Sequence, residues 1–200
     1  MTSRLPTGSQ TVGPFFHDCL LREDARRNIL APPGVAGQRI RIEGCILDGD
    51  GAPVPDAMVE IWQANSYGRY NHPVDSRDLP LDPQFSGFGR SATDEEGAFW
   101  FETIKPGPVP FDKQRNQAPH ICVAVFGRGL LNHLYTRIYF ADDPATADDP
   151  VLALVPAERR ATLLARPTEV DGSLVYRFDI ILQGSAETVF FDYQELEQLR

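Results

Sequence analysis

Short apolar and polar alternations, cut at intervals by Gly, Pro and Asp, leave this 200-residue chain few folds other than a layered β structure. The stretch "GQRIRIEGCILDGDGAPVPDAMVEIWQAN" holds two such runs around "DGDGAPVPD", whose Asp-Gly, Gly and Pro supply the dihedrals of a tight reversal. "GAFWFETIKPG", "APHICVAVFG", "NHLYTRIYFADD", "SLVYRFDIILQG" and "AETVFFDY" continue the series with turn signals between them. The pattern predicts a mainly β protein, a β-sandwich of mixed and antiparallel strands.

Two stretches break the alternation. "DCLLREDARRNIL" and "PVLALVPAERRATLLARP" space their apolar residues three or four apart, which predicts an N-terminal helical arm and a short helix in the second half. The expected organisation is an arm and helix over residues 1–35 and a sandwich over 36–200. The final "VFFDYQELEQLR" reads as aromatics followed by a helical segment suited to partner contact. Residues 65–90 form a long stretch rich in Pro, Gly, Asn and Asp that holds Tyr70 and His72. Loops of that length inside compact domains usually carry function.

Composition removes several classes of function. A net charge of −9 and a sequence pI near 4.9 argue against nucleic-acid binding, which needs a basic footprint. Three widely spaced cysteines (Cys19, Cys45, Cys122), with no C-x-x-C pair, fit reduced thiols better than a disulfide framework or structural zinc. The start has neither an apolar h-region nor a small-residue cleavage site, and no run approaches a membrane span, so the expectation is a soluble, cytoplasmic protein.

The chemistry-bearing strand is "QAPHICVAVF", where His120 and Cys122 lie two positions apart and so share one face. A metal site there would want a second histidine. The plain alternative is a hydrogen-bonded core histidine beside a small buried hydrophobe. Tyr70 has its own plain reading, a ring covering apolar surface, and Arg128 that of a surface arginine. The carboxylates of "ADDPATADDP" read as a solvated acidic loop, without the spacing of a calcium loop.

"DGDGAPVPDAMVEIWQANSYGRY", "DPQFSGFGRSATDEEGAFWFETIKPGPVP", "APHICVAVFGRG", "TRIYFADDP" and "VYRFDIILQG" resemble, in order and spacing, the intradiol ring-cleaving dioxygenases. That resemblance covers roughly residues 9–193 and implies a β-sandwich family that cleaves catechols between the hydroxyls with O₂ at a non-haem Fe(III). In the family two tyrosinates and two imidazoles hold the iron. Tyr70 matches the first tyrosine and His120 the first histidine, whereas Val109 stands for the second tyrosine and Cys122 for the second histidine. Gln117 replaces an arginine and Arg137 a glutamine. These six positions read as a vestigial iron site.

The resemblance further implies a non-catalytic α chain, with Fe(III) held by a homologous β chain and none in this one. The assembly would be a higher oligomer of αβ units acting on 3,4-dihydroxybenzoate and O₂, with no nucleic acid and no membrane among its partners. In "SQTVGPFF", Thr11, Gly13, Pro14 and Phe15 match an arm that borders the substrate, and Arg128 in "FGRG" matches an arginine that meets its carboxylate. Two other readings stand beside it: an independent iron dioxygenase using substitute ligands such as Cys122 or His72, and a non-enzymatic binding module.

Overall fold

A computed structural model describes residues 8–192. One short helix, α1 (Phe15–Leu20), precedes β1 (Arg39–Leu47), β2 (Met58–Trp62), β3 (Phe88–Ala92), β4 (Ala98–Ile104), β5 (Val109–Pro110), β6 (Asn116–Gln117), β7 (His120–Phe126) and β8 (Leu134–Phe140). After three 3-10 turns (Pro144–Asp148, Leu152–Leu154 and Ala157–Leu163) come β9 (Leu164–Val170), β10 (Ser173–Arg177) and β11 (Ile180–Ile181). The mainly β expectation holds.

Strands β3, β2, β7 and β8 run side by side, all antiparallel. Strand β1 pairs antiparallel with β4 and parallel with β10 and β11. Strand β9 joins the two groups: Leu164 and Ala165 pair parallel with Tyr139 and Phe140 of β8, and Arg166–Val170 pair antiparallel with β10. Alternation explains the rest. Ile40, Ile42 and Ile46 of β1 are buried together with Phe99 and Phe101 of β4, and they share one core with Ile61, Val123 and Phe140 from the other group. The Phe140 and Tyr176 rings meet edge to face, 4.8 Å between centroids.

The reversal expected after β1 is present, built by Asp48, whose carboxylate accepts from Asp50 N and Ala52 N at 2.9 Å each. Beyond the single Leu47–Pro53 bridge, β1 and β2 then separate into different strand groups.

Three sequence expectations need correction. The N-terminal helix ends at Leu20, and Arg27 and Ile29 instead bridge to Arg90 and Glu102. Asn28 holds that segment extended by donating to Ser91 Oγ (2.9 Å) and the Trp100 carbonyl (2.7 Å), so tertiary pairing overrides helix propensity. The second helical stretch is 3-10 turns followed by β9; Pro156, which has no N–H, separates the turns. "AETVFFDY" forms no strand among its described residues: it lies along β8 through Thr136 Oγ1 to the Val189 carbonyl (2.8 Å) and Phe191 N to the Tyr135 carbonyl (2.8 Å). Most of the proposed C-terminal helix, from Tyr193 on, lies outside the described residues.

Candidate functional site

A row of side chains crosses three strands. Trp62 on β2 stands opposite Cys122 on β7, which stands opposite Arg137 on β8. The outer faces of these strands floor a cavity of about 740 Å³, closed on one side by the 70–77 loop and on another by β5 and β6. All six positions read as vestigial (Tyr70, Val109, Gln117, His120, Cys122 and Arg137) line it.

Two glycines let the loop close. Gly68 takes φ +76°, and a methyl group there would overlap the Pro108 carbonyl oxygen; one on Gly107 would press on the Ser66 carbonyl and Gly68 N. Asn65 fixes the turn by accepting from Tyr67 N and Arg69 N at 3.0 Å. Tyr70 then stacks on Trp62, 5.9 Å between centroids and 11° from parallel. Its backbone N–H donates to Asp75 at 2.8 Å, and Asp75 pairs with Arg77 at 2.6 Å. The Arg77 guanidinium and these N–H donors hold the Asp75 carboxyl well below the usual carboxylate range, and the pairing raises Arg77 in turn.

His120 is 4% exposed, and its Nδ1–H donates to the Ala118 carbonyl at 2.8 Å. Burial, with the nearby Arg137 charge, pushes its pKa down to about 4, so the imidazole is neutral at physiological pH. Arg137 is itself buried and donates to Gln117 Oε1 at 2.7 Å. Behind it the Tyr139 hydroxyl donates to buried Asp149 at 3.0 Å, and burial raises the Tyr139 pKa. Asp149 also accepts from Ala118 N, Val151 N and Leu152 N, which contradicts a wholly solvated "ADDP" loop. Cys122 is partly exposed on the cavity wall, not the buried hydrophobe of the plain reading.

The donor set does not fit Fe(III). Val109 offers no donor atom, the Cys122 thiol is softer than a ferric oxygenase site favours, and Arg137 brings a permanent positive charge to the same wall. No group of three or more His, Cys, Asp or Glu able to hold a metal converges among the described residues.

The other expected residues gather elsewhere. Thr11 Oγ1 accepts from Gly129 N at 2.8 Å, and Phe16 N donates to the Gly13 carbonyl at 3.0 Å to open α1, with Pro14 as its first flanking residue. Phe15 is 76% exposed, and a methyl group on Gly13 would meet nothing. Arg128, 70% exposed at its side chain, pairs through Nε with Asp56 at 3.1 Å, and Asp56 also accepts from His17 Nδ1 at 2.5 Å. The length of β7, at ~3.3 Å per residue, puts roughly 20 Å between His120 and this cluster. The arm and Arg128 are therefore together, and apart from the chain's own cavity.

Sequence reasoning missed Trp62, the Asp75–Arg77 pair, the Tyr139–Asp149 pair and Asp56. Only Trp62 carried a signal, as the residue facing out of an alternating strand.

A family model described as Dioxygenase matches residues 13–184. The chain is 44% identical over 203 residues to the protocatechuate 3,4-dioxygenase alpha chain of Burkholderia cepacia, covering 96% of this chain and 100% of that one. To the beta chain of the same enzyme from that organism it is 42% identical over 187 residues, covering 90% of this chain and 77% of that one. Among solved structures, the dioxygenase domain of a dioxygenase and carbohydrate-binding protein fusion from Streptomyces sp. SirexAA-E superposes with a TM-score of 0.62 at 24% identity, covering 90% of this chain and 99% of that one. That last likeness speaks for the fold alone.

Proposed function

The chain belongs to the intradiol ring-cleaving dioxygenases, and from that premise we propose that it is the non-catalytic α chain of a heteromeric protocatechuate 3,4-dioxygenase. Identity to the alpha and beta relatives is nearly equal, so the site residues decide between them. One observation carries the choice: Val109 and Cys122 stand in one cavity at the two positions where the family's ferric site has a tyrosinate and an imidazole, and Arg137 adds a positive charge to the same wall. Enzymes of this family use non-haem Fe(III). In the proposed assembly the iron is held by a homologous β chain that keeps both tyrosines and both histidines.

The reaction adds both atoms of O₂ to 3,4-dihydroxybenzoate and breaks the ring bond between the two hydroxyl-bearing carbons, giving 3-carboxy-cis,cis-muconate. This chain closes the partner's pocket. Thr11, Gly13, Pro14 and Phe15 form its rim, and the Arg128 guanidinium meets the substrate carboxylate through paired charge-assisted hydrogen bonds. The exposure of Phe15 and Arg128 and the open space beside Gly13 support an arm surface that another chain completes. Among the described residues no helix is long and apolar enough to cross a membrane.

The test is iron content together with O₂ uptake on 3,4-dihydroxybenzoate, for this chain alone and co-expressed with the candidate β chain. Iron and turnover only in the pair support the reading. Stoichiometric iron and turnover in the isolated chain would overturn it and favour a working variant of the ligand strand.

A further inference from the structure

Asp56 is the one carboxylate among the described residues that contacts both the N-terminal arm and Arg128. Its Oδ1 accepts from His17 Nδ1 on α1 at 2.5 Å, and its Oδ2 lies 3.1 Å from Arg128 Nε in the segment between β7 and β8. The residue stands just before β2 with φ +61°, a left-handed conformation that Asp and Asn tolerate better than other non-glycine residues. Its side chain is 30% exposed against 70% for Arg128, so the carboxylate is the more fixed member of the pair.

Two further contacts tie the same elements together. Thr11 Oγ1 accepts from Gly129 N at 2.8 Å, and the Phe16 ring lies 6.3 Å from that of Phe126 at the end of β7. The arm and the Arg128 segment thus form one unit, and Asp56 supplies its only charged link among the described residues.

We propose that Asp56 is a positioning residue for substrate recognition: its ion pair with Arg128 keeps the guanidinium beside the arm, where its terminal nitrogens can take a substrate carboxylate. This inference rests on the reading of Arg128 given above. An ion pair does not set the orientation of a guanidinium, but it limits where the group can go, and the planar fork then offers its donors from a restricted region. An arginine that is 70% exposed has many rotamers to lose on binding, and a carboxylate that restrains it beforehand lowers that entropic cost. The same carboxylate anchors His17, so arm and arginine are set relative to each other by one side chain.

The experiment uses the co-expressed αβ holoenzyme with Arg128→Ala, Asp56→Asn and Asp56→Gly. Both replacements at position 56 accept the left-handed backbone, and unchanged iron content and elution volume verify assembly; Asp56→Gly serves if Asp56→Asn fails to assemble. KM and kcat are measured for 3,4-dihydroxybenzoate and for a catechol without a carboxylate. The expected result is a KM for the acid raised about fivefold in both Asp56 variants, with kcat and both constants for the plain catechol within about twofold of wild type. A selective effect of Arg128→Ala with no effect of either Asp56 variant overturns the positioning role and leaves the Arg128 reading intact. No selective effect of Arg128→Ala overturns that reading and this inference with it. Equal losses on both substrates in the Asp56 variants assign Asp56 to arm packing and also overturn the proposal.

Discussion

Cys122 and Arg137 face each other directly across β7 and β8, which puts a guanidinium beside the position where an iron ligand would have to be rebuilt. Restoring donors is therefore not enough. At an effective dielectric near 20, a unit positive charge about 6 Å from a metal costs roughly 3 kcal/mol for each positive charge on the ion. Val109→Tyr with Cys122→His is expected to leave the isolated chain with well below one iron per chain after Fe(III) reconstitution. Adding Arg137→Gln is expected to raise that figure severalfold and bring up visible tyrosinate-to-iron absorption. Full loading in the double variant would show that the charge is not what excludes the metal.

His120 ties the same site to acid stability. Its pKa falls from an unfolded value near 6.5 to about 4, so between those values the unfolded chain binds a proton that the folded chain does not. Stability from this group is complete above pH 6.5, declines as pH falls, and has been lost by about pH 4, an effect of up to roughly 3 kcal/mol. His120→Gln is expected to flatten the pH dependence of the urea midpoint across that window. An unchanged slope in the variant would place the acid sensitivity elsewhere.

The sequence disclosed the strands well and their partners poorly. Alternation placed Ile40, Ile42 and Ile46 on the buried face of β1, and put His120 beside Cys122 on one face of β7, because the period of a strand is local. It could not say that Arg27 and Ile29 would bridge to Arg90 and Glu102, since the hydrogen bonds of Asn28 that enforce this span more than 60 residues. Convergence of Tyr70, Val109 and Gln117 on the cavity came from the family resemblance, not from pattern. Asp149 and Asp56 were invisible for a related reason: an Asp reads as a surface residue until its donors are known, and those donors come from distant segments.

Asp149 holds three backbone N–H groups and the Tyr139 hydroxyl while only 1% exposed. Removing it leaves buried donors unsatisfied, which typically costs ~1–3 kcal/mol for each neutral group left behind. Asp149→Ala is expected to destabilise the chain by ~3–5 kcal/mol in urea unfolding, and Tyr139→Phe, which removes one hydroxyl, by about 1 kcal/mol. A loss below about 1 kcal/mol for Asp149→Ala would mean that water replaces the carboxylate.

Gly68 and Gly51 share a left-handed backbone, φ +76° and +79°, but differ in what surrounds them. A methyl group on Gly51 meets nothing, whereas on Gly68 it overlaps the Pro108 carbonyl. Gly51→Ala is expected to cost about 1 kcal/mol of backbone strain. Gly68→Ala should exceed it by ~2 kcal/mol or more and shift tryptophan emission as the Tyr70–Trp62 stack opens. Equal costs for the two would mean that the 66–70 loop moves aside freely and that the cavity wall is not set by Gly68.

Arg128 lies roughly 20 Å along β7 from the chain's own cavity, beside the arm, so a substrate that meets it lies outside that cavity, which is what the proposed αβ pocket requires. Loss of one partner of a buried, hydrogen-bonded charge pair costs ~2–5 kcal/mol. Arg128→Ala in the αβ enzyme is therefore expected to raise KM for 3,4-dihydroxybenzoate by about 30-fold, roughly 2 kcal/mol, with little change for a catechol that has no carboxylate. Arg128→Lys keeps the charge but not the fork, and should recover only part of that loss. Because the proposed contact orients the carboxylate without touching the bond that breaks, kcat for the acid should change far less than KM. Equal effects of Arg128→Ala on both substrates would move the arginine from recognition to subunit contact.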